Sequence, residues 1–190
     1  MDSLEEKAKA VELVFNKLDE EISKFQNWST LHCEFGCGKC CFKPDIEATA
    51  LEFLPFALSV YKNNQAEEWL SRLSESDSSI CLILHPSQSG AGLCSDYTHR
   101  GLICRLFGYS ARTNKYGKKE LVTCQIIKTN QVEKFTEAET KIENGADLPV
   151  MNEFYMQLAS VDFEMAREFY PINVALRKAI EVVLHYYAYR

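Results

Sequence analysis

Apolar residues recur along the N-terminal segment at Leu4, Ala8, Val11, Phe15, Leu18, Ile22 and Phe25, in alternating steps of four and three. That spacing puts them on one face of an α-helix. Ser3 stands at the head of the pattern with Glu6 three residues on, the signature of a capping box. A helix over 3–29 is predicted. Its stripe is heptad-like, but three heptads are too few for a coiled coil, so the stripe is expected to pack within the molecule.

A second helical region is predicted over DIEATALEFLPFALSVYK, opened by Pro44 and Asp45 and kinked or split at Pro55. NNQAEEWLSRLSES predicts a third helix with Trp69, Leu70 and Leu73 on its apolar face. From Ser78 to Gln125 the pattern changes: CLILH and LVTCQII read as short strands, HPSQSGAG and NKYGKK as turns, and RGLICRLFGY as a helical turn or two. Helical periodicity resumes past Lys128. TEAETKIENG closes at a glycine, Asp147 and Pro149 start LPVMNEFYMQLASVDFEMAREFY, and Pro171 starts a last helix carrying Ile172, Leu176, Ile180, Val183 and Leu184. The expected fold is mainly α: one helical-bundle domain over 1–190. A cysteine-rich insertion of loops and short strands at 33–124 would form a metal site, between the N-terminal helix 3–29 and C-terminal helices over 130–189.

A net charge of -6 argues against a nucleic-acid surface, which needs a basic excess. The local basic run Lys115–Lys119 reads as a solvated turn. No segment has the composition of a signal peptide or the roughly eighteen apolar residues of a membrane helix. The expectation is a cytoplasmic protein with reduced thiols and no membrane partner. In a secreted protein the eight cysteines could instead form four disulfides.

Those cysteines alter the picture most. Cys33, Cys37, Cys40 and Cys41 crowd into LHCEFGCGKCCF, and Cys81, Cys94, Cys104 and Cys124 follow singly. Core packing does not ask for four thiols in one loop. Thiolates ligate zinc and iron, and close spacing lets one loop supply several ligands. Cys37 and Cys40 form a C-x2-C knuckle, with no second knuckle to complete a zinc ribbon, so the fold must assemble the ligand set. In an extended segment Cys40 and Cys41 would point to opposite faces, serving two metals or leaving one sulfur to pack. Four thiolates around a dication leave a net charge of about -2. Arg100 and Arg105 flank Cys104 in sequence and could offset it, or could form ordinary surface ion pairs. His32 and His85 lie close to Cys33 and Cys81 and could be ligands in a mixed site; with eight sulfurs available they, like His99, read rather as neighbours of the sulfurs or polar surface residues, and His185 reads as structural.

Three blocks resemble the YkgJ-type cysteine-cluster family, described as a zinc- or iron-chelating domain with a CxxCxxCC pattern. They are Cys33-x3-Cys37-x2-Cys40-Cys41, then Cys81-Leu-Ile-Leu with Gly92-Leu-Cys94-Ser-Asp-Tyr97, then Arg100-Gly-Leu-Ile-Cys104-Arg105. The resemblance implies metal chelation by the eight cysteines, with zinc or an iron–sulfur cluster as the load. It places Arg100, Arg105 and Tyr97 around the sulfurs. Two departures stand out: one extra residue after Cys33, and Gly101 where the family pattern has proline, which is expected to loosen the turn before Cys104.

Two other chemistries fit less well. A cluster like this one occurs in flagellin lysine N-methylases, which suggests S-adenosylmethionine-dependent methyl transfer or a redox accessory enzyme. The glycine-rich turn Ser89–Gly92 is weak support for a nucleotide cradle. Thiol–disulfide exchange at Cys37 and Cys40 would need the motif between a strand and a helix, whereas it follows a long helix. The aromatic end LHYYAYR and the heptad stripe could meet a protein partner, which the sequence does not identify.

Overall fold

The computed structural model describes residues 3–34, 36–86 and 92–189. Its first helix, α1 (Leu4–Ser29), bears out the periodicity. Every residue of the stripe is buried, Val11, Leu18 and Phe25 fully. The capping box forms in both directions. The Ser3 amide donates to Glu6 Oε2 at 2.6 Å, and the Glu6 amide donates to Ser3 Oγ at 3.2 Å.

Nine α-helices and three two-stranded antiparallel pairs make up the described residues, so the chain is mainly α. After α1 come a 3-10 turn (Lys39–Phe42), β1 (Glu47–Thr49), a second 3-10 turn (Leu51–Phe53), α2 (Leu54–Lys62) and α3 (Ala66–Glu75). Then follow β2 (Leu84–Pro86), β3 (Gly92–Cys94), α4 (Leu102–Leu106), β4 (Ser110–Thr113), β5 (Lys119–Val122) and α5 (Gln125–Asn130). The chain closes with α6 (Val132–Glu143), α7 (Met151–Val161), α8 (Phe163–Ala166), β6 (Phe169–Pro171) and α9 (Ile172–Ala188).

Three local expectations are corrected. Residues 47–49 form a strand, not the start of a helix, because β1 pairs with β6 in the register Glu47↔Pro171 to Thr49↔Phe169. Pro55 begins α2 instead of kinking a longer helix, where its missing N–H costs nothing. The LVTCQII run is a strand only as far as Val122; Cys124 then caps α5.

By its internal contacts the chain groups into two compact units. The first comprises Met1–Leu13, Gly36–Gly101 and Leu158–Arg190, the second Val14–Phe35 and Leu102–Gln157. In the first unit α9 is the central element, with α2, α3 and the β1–β6 pair packed against it. Ala175, Leu176, Ala179, Ile180 and Val183 are fully buried there, and Trp69 of α3 meets Phe56 of α2 edge-on at 5.1 Å. In the second unit a cluster of Phe25, Leu31, Ala111, Leu121, Ile127, Ala138, Ile142 and Leu148 forms the core, with Trp28 and Tyr109 packed on it. The Ala111 amide donates to Pro149 O at 2.7 Å, tying β4 to the segment before α7. No helix among the described residues is long and apolar enough to cross a membrane.

Candidate metal centre

The cysteine segment turns where its glycines allow it. Gly36 and Gly38 take φ values of 69° and 53°, a region open to glycine at little cost. The chain then winds into the 3-10 turn Lys39–Phe42, with the Cys41 amide donating to Gly38 O at 2.9 Å. Because the segment is wound and not extended, Cys40 and Cys41 do not diverge to opposite faces: their sulfurs lie 4.0 Å apart. A tetrahedral zinc with sulfurs at about 2.3 Å has sulfur–sulfur edges of about 3.8 Å. The adjacent pair thus already has nearly the spacing of two ligands on one ion.

The turn packs against β3, the strand that ends at Cys94. Its hairpin partner β2 follows Cys81, and the register sets Leu84 opposite Cys94. Ser95 locks the hairpin with its amide and its hydroxyl, both donating to Ile83 O, at 3.0 and 2.7 Å. Cys40, Cys41, Cys81 and Cys94 are therefore carried on three neighbouring pieces of the first unit, and all four are half-buried.

The electrostatics separate these thiols. The Cys41 thiol hydrogen bond brings the Cys40 thiol down to about 6, helped by backbone amides and the Arg100 charge against the opposing effect of burial. Burial pushes Cys81 up to about 11, and neighbouring Cys94 adds to the rise. Cys94 is also raised by burial, partly offset by the Asp96 amide and by Arg100. Arg100 thus supplies positive charge to two of the sulfurs. Its guanidinium lies 3.6 Å from the centre of the Tyr97 ring, which is itself 63% exposed. Arg105 is placed differently: it pairs with Asp19 of α1 and lies over the Phe15 ring at 4.7 Å.

The remaining thiols divide by unit. Cys37 belongs with the first, while Cys33, Cys104 and Cys124 belong to the second. The backbone at Cys33 is firmly held. Its amide donates to Tyr109 Oη at 2.7 Å, and Gln131 bonds both the His32 amide and the His32 carbonyl, at 3.2 and 2.7 Å. Cys104 lies on α4 and is half-buried. The Cys124 sulfur accepts the Ile127 amide at 3.5 Å as the cap of α5. None of the eight cysteines forms a disulfide. Among the described residues no three Cys, His, Asp or Glu side chains form a ready-made cage for an ion.

The structure reorders the histidines. His85 is exposed on β2 and His185 lies 4.7 Å from the Tyr189 ring. His99 is gripped by Asp96, with Nδ1 at 2.8 Å from both carboxylate oxygens. Sequence reading missed this pair, although an aspartate three residues before a histidine in a turn was visible. Gly101 is likewise tighter than its sequence implied. A Cβ there would sit 2.9 Å from Phe53 Cζ and 3.1 Å from Glu52 Oε2, so the glycine permits close packing instead of loosening the turn. The C-x2-C motif runs into a 3-10 turn, not from a strand into a helix. Most of the Ser89–Gly92 turn lies outside the described residues.

Comparison with curated proteins gives no match, and neither does comparison with solved structures. A family model does match, over residues 32–141, more than half the chain and the whole span of cysteines. The chain belongs to the CxxCxxCC family, described as "Putative zinc- or iron-chelating domain".

Proposed function

We propose that the chain is a zinc-chelating protein whose first unit binds a single ion through Cys40, Cys41, Cys81 and Cys94, with Cys37 the further thiol of that unit. The 4.0 Å separation of the Cys40 and Cys41 sulfurs carries this reading. Two thiolates on one ion sit close together along a tetrahedral edge, whereas a cubane cluster takes its thiolates on separate irons and spreads them apart. Arg100 beside Cys40 and Cys94 offsets the negative charge that four thiolates bring. In the second unit, Cys33, Cys104 and Cys124 carry the rest of the proposed ligand set. Arg105 and Tyr97 are proposed to support the sulfurs, Tyr97 through its stack with Arg100. A reduced thiol set suits the cytoplasm. The proposed role is binding.

Metal analysis with a visible spectrum, on protein purified without oxygen, tests this. Zinc in a colourless protein is expected. Iron with broad visible absorbance would overturn the choice of zinc, and absence of any bound metal would overturn chelation itself.

A further inference from the structure

We propose that Asn173, the second residue of α9, is the positioning residue for Cys81, so that the head of α9 serves the metal site from outside the cysteine region. The inference rests on the chelation reading above and adds to it a residue that ligates nothing itself. Asn173 uses one side chain for three hydrogen bonds. Its Nδ2 donates to Ser78 O and to Ile80 O, both at 2.8 Å. Its Oδ1 accepts the Leu82 amide at 3.0 Å. Ile80 and Leu82 flank Cys81, so the clamp grips the chain on both sides of the thiol. Two carbonyls and one amide call for a group with two donors and an acceptor, which a side-chain amide supplies. A carboxylate there would face two carbonyl oxygens with no proton to give.

The Cys81 segment depends on such a partner. Between α3 and β2 the chain forms neither helix nor strand, and its backbone groups must find other bonds. Ser78 Oγ accepts the Ile80 amide at 3.1 Å, which leaves the Ile80 carbonyl and the Leu82 amide to Asn173. The next two amides, of Ile83 and Leu84, hydrogen-bond the Cys81 sulfur. The clamp thus fixes the main chain at the point from which those amides aim the thiol. The head of α9 also reaches the other thiol-bearing piece. Ile172 is buried, and its amide donates to Ile46 O at 2.9 Å. Just before it, β6 pairs with β1, the strand that follows the Cys40–Cys41 turn. Residues 171–173 therefore hold both segments, and they lie beyond residue 141, where the family match ends.

The test is zinc affinity by competition with a chromophoric chelator, on the anaerobic full chain and its variants. Asn173→Ala should bind zinc about 10–100-fold more weakly, the usual effect of removing a group that orients a ligand. Asn173→Asp, which keeps the size of the side chain, should show the same loss. Asn114 is the control: its Oδ1 accepts the Tyr116 and Lys118 amides at 2.9 and 3.1 Å in the β4–β5 turn of the second unit. Asn114→Ala should leave zinc affinity unchanged, which separates positioning from general loosening. In a Cys81→Ser background, Asn173→Ala should cost little more, because residues that act through one another are not additive. Wild-type affinity in both Asn173 variants, or losses that add in full to that of Cys81→Ser, would overturn the inference while leaving chelation standing. Metal-free Asn173→Asp that loses its helical circular dichroism would mark a structural residue and overturn it too. A wild-type protein that takes up no zinc would overturn the chelation reading, and the inference with it.

Discussion

At the scale of single residues, three thiols of the first unit are shifted in opposite directions, Cys40 downward and Cys81 and Cys94 upward. The Cys41 thiol hydrogen bond favours the thiolate of Cys40, whereas burial favours the protonated form of Cys81 and Cys94. In metal-free protein, alkylation of Cys40 is expected to be half-maximal near pH 6, because a lowered thiol is deprotonated above its shifted value. Mass spectrometry of iodoacetamide adducts across pH reads this directly. Cys81 should stay unmodified to about pH 11. Zinc affinity should accordingly keep rising with pH up to about 11, because binding must displace the protons that Cys81 and Cys94 still hold. Gly101 gives a second residue-scale prediction. In Gly101→Ala the added methyl meets Phe53 at 2.9 Å, which should cost about 1–3 kcal/mol by urea unfolding. Unchanged stability would show that Phe53 can move aside.

At the scale of elements, what the sequence made legible follows from how local each signal is. The stripe and cap of α1 are written within one segment, and α1 forms as expected. Replacing Ser3 with alanine removes the acceptor for the Glu6 amide and should lower stability by about 1 kcal/mol in thermal unfolding. Strand β1 was invisible because its partner β6 lies far along the chain and no local pattern announces the pairing. Cys124 was misread for another reason: helix caps are usually Ser, Thr, Asp or Asn, and a cysteine sulfur in that position gives no recognisable sign. The bend after α1 was also hidden. Thr30 takes a positive φ of 55°, unfavourable for a β-branched residue. Relieving it with Thr30→Gly should raise the unfolding midpoint, since the left-handed conformation costs a non-glycine residue about 1–2 kcal/mol.

At the scale of the whole molecule, the sequence revealed the family and the candidate ligand set, because cysteine is a rare residue and its spacing survives in one dimension. It did not reveal how the thiols group. That grouping depends on the 3-10 turn at Lys39–Phe42 and on the β2–β3 hairpin, which bring Cys40, Cys41, Cys81 and Cys94 into one unit. Nor did it reveal that the Asp96 carboxylate holds the His99 ring. If zinc closes this group, chelation should weaken the fold. A ligand at a hundred times its dissociation constant adds about 2.7 kcal/mol, so EDTA should lower the melting temperature by at least about 5 °C. The central claim is that the Cys40–Cys41 pair forms one edge of a tetrahedral thiolate site, and a cobalt(II) titration of the anaerobic, metal-free protein tests it most directly. The account predicts strong visible bands of tetrahedral cobalt with thiolate charge transfer, lost when Cys40 and Cys41 are both replaced by serine; faint octahedral bands, or bands unchanged in the double variant, would contradict it.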